Sequence, residues 1–151
     1  MEMRFMRARQ ALFALLFSLP FILVGCGPSY KLASGGMSQY QERDKAFFVM
    51  RDADAYRFFH VWTTGSTESA PTVDFDRFAV IGSVYRRSTG GRSLEVSRVT
   101  YNVQDIQVNI RERISEGNNI QVVTYPYTIN RISVPQHLAG APINFTRSQI
   151  T

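Results

Sequence analysis

The sequence predicts a mainly β domain, a small antiparallel sheet or sandwich of about six strands with one short helix. Three observations carry this. Apolar residues recur with a period of two over most of the chain after residue 72. One stretch alone, Ala55, Phe58, Phe59 and Trp62, has the i, i+3, i+4, i+7 spacing of a helix that packs by one face. Turn-forming residues separate the alternating runs, with Gly90-Gly91 and "EGNN" (116–119) the clearest.

Taken in order, "AFFVM" (46–50) is a short apolar run bounded by charge and reads as a first strand. Asp52 and Asp54 stand where a helix cap is wanted, and Gly65 stops the helix. "STESAPT" (66–72) is a loop. In "VDFDRFAVIGSVY" (73–85) the apolar residues thicken towards Ala79, Val80 and Ile81, as in a central strand. "SLEVSRVTYNV" changes phase by one residue between Val96 and Val99, which predicts a bulge near Ser97 and Arg98. "DIQVNIRERI" puts Ile106, Val108 and Ile110 on one face. "IQVVTY" and "YTINRISV" read as two further strands, broken at Pro126, because proline has no N–H to give to a ladder. "PQHLAGAPINFTRSQIT" has weak periodicity and reads as a loosely packed tail. Antiparallel strands with one wet face fit this alternation better than a buried parallel sheet.

The first residues follow a different logic. Arg4, Arg7 and Arg9 precede "ALFALLFSLPFILV" (11–24), which carries no charge. That run is short of the about 20 residues a membrane-spanning helix needs, and it contains Pro20. Basic start, short apolar run and small residues at its end form an export signal. Without it the residues from Gly27 onward hold 14 basic and 11 acidic side chains, a net +3 against +5 for the whole chain. That spread-out excess does not argue for nucleic acid.

"LVGC" (23–26) resembles the lipobox of bacterial lipoproteins. The resemblance implies cleavage between Gly25 and Cys26, and acyl chains on Cys26 that hold the protein on a bilayer. Cys26 is the sole cysteine, so an intrachain disulfide is impossible, and lipidation accounts for an odd thiol in an exported chain. Gly27 stands where an Asp often retains lipoproteins at the inner membrane, so the outer membrane is expected if the cell has two. The expected organisation is a signal peptide over 1–25, a lipid-anchored flexible linker over 26–44, the β domain over 45–134 and a tail over 135–151.

Residues 73–134 resemble the carboxy-terminal domain of PrcB-type proteins, named after a lipoprotein subunit of a bacterial surface protease complex. The motifs are Val73-Asp74-Phe75, Thr89-Gly90-Gly91 and Tyr125-Pro126-Tyr127, in that order, with the Trp62 helix upstream. Arg92 departs from the aromatic that often follows the paired glycines. The resemblance implies a β fold and a protein partner, with a secreted protease the partner to expect.

"STGGRS" (88–93) admits two chemistries. Paired glycines flanked by Arg86, Arg87 and Arg92 suit a phosphate cradle or a hairpin tip. A P-loop needs Gly-Lys-Ser/Thr and a following helix, whereas a strand follows here, so the hairpin reading is preferred, with positive φ at Gly90 and Gly91. A basic tip is also a docking surface, so Arg86, Arg87, Gly90, Gly91 and Arg92 are candidate partner contacts, against the alternative of a solvated tip. Tyr127, beside Pro126, is a candidate exposed anchor at a sheet edge. Trp62 belongs to the core. His60 and His137 lie far apart and have no metal-ligand spacing, and His60 is expected to be partly exposed. Asp74 and Asp76, flanking Phe75, are expected on one face of a strand as solvated charges. No serine stands in a nucleophile elbow. The expectation is a non-enzymatic envelope lipoprotein without a cofactor that binds lipid through Cys26 and another protein through its β domain, possible alternatives being a protease inhibitor and a structural envelope protein without a protease partner.

Overall fold

The computed structural model describes residues 25–66, 68–115 and 121–150. The described residues form eight strands and one α-helix: β1 (Gly25–Gly27), β2 (Ser29–Gly35), β3 (Lys45–Met50), α1 (Ala53–Thr64), β4 (Phe78–Tyr85), β5 (Arg92–Tyr101), β6 (Ile106–Ile114), β7 (Tyr127–Ser133) and β8 (Ile143–Ile150), with a 3-10 turn at Gln136–Leu138. They make two four-stranded sheets, ordered β1-β5-β6-β8 and β2-β7-β4-β3. All pairs are antiparallel except β6 with β8. The mainly β fold expected from the period of two is therefore the fold observed.

The alternation decides which layer each side chain enters. On β4, Ala79, Ile81 and Tyr85 face one way and Val80 and Val84 the other. The first set meets Leu94, Val99, Ile106, Val108 and Ile110 of the opposite sheet, giving the sandwich interior. The second set meets Phe59 and Tyr56 of α1, giving a second core on the outer side of the β2-β7-β4-β3 sheet. That sheet is buried on both faces, which explains the near-continuous apolar run of β4. Phe47 of β3 stacks on Phe145 of β8 at 4.7 Å and closes one side of the sandwich. The Tyr101 hydroxyl donates to the Ser133 carbonyl at 2.7 Å and ties the sheets together near the other side.

Asp52 caps α1, its carboxylate accepting from the Ala55 N–H at 2.8 Å, and the Gly65 N–H closes the last turn on the Val61 carbonyl. Gly82 of β4 lies beneath the helix. A Cβ there would come within 2.5 Å of the Phe59 ring, so the close approach of α1 to the sheet requires glycine. The bulge expected near Ser97 is present, as a register shift between Val96 and Arg98.

Several expectations are corrected. Residues 26–44 are not a flexible linker: β1 and β2 pair with β5 and β7, and Tyr40 is buried. Residues 135–151 are not a loose tail, because β8 lies parallel to β6 over eight residue pairs. Both segments are edge strands half-exposed on their faces, which blurs their apolar period. "IQVVTY" forms no strand over 121–126; Thr124 and Tyr125 make only isolated bridges, to Arg87 and Met37. Asp74 and Asp76 lie in a turn, where the Asp74 side chain accepts from the Asp76 N–H, and β4 begins only at Phe78. The buried face of α1 is Tyr56, Phe59, His60 and Thr63, so the stripe is rotated from the expected one. The export signal (1–24) and the "EGNN" turn lie outside the described residues.

Candidate functional site

The strands give the sandwich two ends with different chemistry. One end holds the β4–β5 hairpin, where Gly91 has φ 70°. It is the positive-φ residue of the glycine pair, so the turn needs one such residue there and not two. The inward row of β6 runs Ile106, Val108, Ile110 and then Glu112. None of Glu112 is exposed. Three arginines converge on it: Arg87 donates through Nε and Nη2, Arg147 through Nη2 at 2.7 Å, and Arg92 through Nη1 at 3.2 Å. Arg87 and Arg147 also lie over the ring of Tyr85, at 4.9 and 5.4 Å.

Burial alone would raise the Glu112 pKa. The hydrogen bonds from Arg87 and Arg92 and the charges of Arg87 and Arg147 outweigh it and hold the carboxyl at about 2. Burial pushes the Tyr85 phenol up to about 12, with the two arginines pulling against it. The hydrogen bond to Glu112 raises Arg87 further. Each group therefore keeps one charge state across the physiological range, which suits a clamp and not proton transfer. The expected docking arginines are thus placed differently. Arg87 and Arg92 point inward to Glu112, and Arg86 alone remains a surface pair, with Asp44 at 3.6 Å. Tyr127 is no exposed anchor either: it is buried in β7, between β2 and β4.

At the opposite end lie the start of β1, the β5–β6 turn and the β7–β8 connection. Cys26 is exposed in β1, opposite Thr100 of β5. Gly25, the residue before it, is opposite Tyr101. Close by, an open cleft of about 640 Å³ is lined by Arg51, Phe75, Arg77, Phe78, Pro135 and Gln136, among others. A smaller polar groove of about 370 Å³ crosses the outer face of the β5–β6–β8 sheet, past Ser97, Asn109 and Thr146.

Sequence reasoning missed the outer face of α1. Phe58 is 69 % exposed and Val61 42 %, and the Phe58 ring lies 5.7 Å from Trp62. Trp62 continues inward to Tyr40 at 4.7 Å and Phe48 at 6.4 Å. The signal was available: Tyr56, Phe58, Phe59, Val61 and Trp62 are more apolar than one buried stripe requires. His60, expected to be partly exposed, is buried on the inner face of α1, and burial lowers its pKa. Its Nδ1 has no hydrogen-bond partner among the described residues. Among those residues no three His, Cys, Asp or Glu side chains converge as metal ligands do.

The fold and these surfaces define a two-sheet β sandwich with a helix covering one sheet. The chain matches no protein-family model, no curated protein and no solved structure. Three short motifs of the sequence are Val73-Asp74-Phe75, Thr89-Gly90-Gly91 and Tyr125-Pro126-Tyr127. They fall before β4, at the β4–β5 turn and at the start of β7.

Proposed function

We propose that the protein is a lipid-anchored component of the bacterial cell envelope, held by acyl chains on Cys26, whose sandwich docks another protein through the outer face of α1. The observation that carries the docking is Phe58, 69 % exposed on a helix whose opposite face is fully packed. An exposed phenyl backed by a half-buried tryptophan has the form of an interface anchor, since such rings bring large contact area at low entropy cost. The lipobox and the exposed position of Cys26 support the anchor. The PrcB-type motifs make a secreted protease the partner class, which the domain would stabilise or regulate.

Two experiments test the two halves. Cys26→Ser should abolish fatty-acid labelling and leave an uncut or soluble precursor; a variant that still matures and fractionates with membranes removes the lipoprotein reading. A photo-crosslinking residue at position 58 should yield a discrete adduct with an exported protein in living cells, lost on Val61→Asp. The same residue at Glu95, on the other sheet, should not. Equal adducts from both positions, or none from position 58, remove the docking reading.

A further inference from the structure

The strand register fixes how far the anchor can be from the domain. Cys26 lies in β1 and pairs with Thr100, and β2 begins three residues later, at Ser29 opposite Ile132. A protein cut before Cys26 therefore has no tether between its first residue and its sheets. Acyl chains on Cys26 would bring the adjoining end of the sandwich directly onto the headgroups.

That end is chemically distinct from the other. At the hairpin end the arginines meet carboxylates: Arg86 pairs with Asp44, and Arg87, Arg92 and Arg147 converge on Glu112. At the Cys26 end, among the described residues, Arg51, Arg77 and Arg131 have no carboxylate within 4.0 Å. Arg77 and Arg131 both lie over the Phe78 ring, at 5.7 and 4.8 Å, so two uncompensated guanidiniums share one phenyl. Arg51 and Arg77 line the same open cleft. The acids there keep their charges but pair with none of these three arginines. Asp52 caps α1, Asp74 accepts within its turn, and Asp105 accepts from Asn102, Gln107 and Asn144. Asp76 lines the cleft without pairing. Between the β5 and β6 strands, Val103 stands 61 % exposed at the tip of the turn.

Resting on the lipoprotein reading of Cys26, we propose that this end of the sandwich lies on the bilayer, with Arg51, Arg77 and Arg131 on the phosphates of anionic lipid and Val103 at the headgroup boundary. Guanidinium groups match phosphate geometry, and cations are drawn to an anionic lipid surface. The Gly-Gly hairpin then points away from the membrane. Nine residue steps along β5 separate Arg92 from Tyr101, roughly 30 Å at strand rise.

The test uses the acylated protein in vesicles. With the Cys26 sulfur blocked by lipid, Val103→Cys or Thr89→Cys supplies the one thiol for a fluorophore. Nitroxide-headgroup lipid should quench the label at 103 and leave the label at 89 bright. Quenching at 103 should be stronger with phosphatidylglycerol than with phosphatidylcholine alone, and fall with salt. The triple variant Arg51→Gln, Arg77→Gln, Arg131→Gln should lose the lipid preference while melting cooperatively. Mass spectrometry of the same preparation separates the failures. An unacylated Cys26 overturns both readings. An acylated protein with the label at 103 unquenched, or with the lipid preference unchanged in the triple variant, overturns this one alone.

Discussion

Glu112 receives Arg87 side-on, Nε to one carboxylate oxygen and Nη2 to the other, with none of the glutamate exposed. The pair joins the β4–β5 hairpin to β6, and Arg147 of β8 completes it. An ionised group at the end of an apolar row is tolerated because its partners are themselves held in place.

The first prediction follows from charge. Glu112→Gln keeps the shape and removes the ionised acceptor, and should destabilise the domain by about 3 kcal/mol at neutral pH. The folded pKa lies below the ordinary one, so the stabilisation is fully present above 4.5 and is lost as pH falls towards about 2. Denaturant melts across that window should show a steep loss in the wild type and a flatter one in the variant. Equal slopes count against the clamp.

The three arginines should not be equivalent. Arg87 gives two hydrogen bonds to Glu112, Arg147 one at 2.7 Å and Arg92 one at 3.2 Å. Arg87→Ala should cost about 2–3 kcal/mol, Arg147→Ala less and Arg92→Ala about 1. Equilibrium unfolding of the three variants checks the order, and a reversed order means that the hydrogen-bond geometry is not what sets the cost.

Gly91, at φ 70°, should resist a β-branched residue. Gly91→Val is expected to cost about 1–3 kcal/mol, because the left-handed region is strained for such a side chain. A thermal melt equal to that of the wild type would show that the hairpin relaxes by another route.

Gly82→Ala should destabilise by about 1–3 kcal/mol through overpacking against Phe59. Shortening the opposing ring should relieve the clash, so Gly82→Ala with Phe59→Leu should cost less than the sum of the two single changes. Strict additivity would place the strain elsewhere.

The sequence by itself determined the mainly β fold, the bulge after Val96, the helix with an acidic cap at Asp52 or Asp54 and its Gly65 stop, and the turn at Gly90-Gly91. Each is written in a few neighbouring residues, through a period, a cap or a backbone conformation. Tertiary structure decided what depends on distant partners. β1 and β2 become strands because β5 and β7 offer them open edges, and β8 because β6 does; their own alternation is weak since little of either face is buried. Arg87 and Arg92 look like a solvated tip until Glu112, 25 and 20 residues away in sequence, is placed beneath them. Phe58 and His60 exchange their expected surroundings because a helical stripe tells that one face is buried, while the sheet beneath decides which face turns inward.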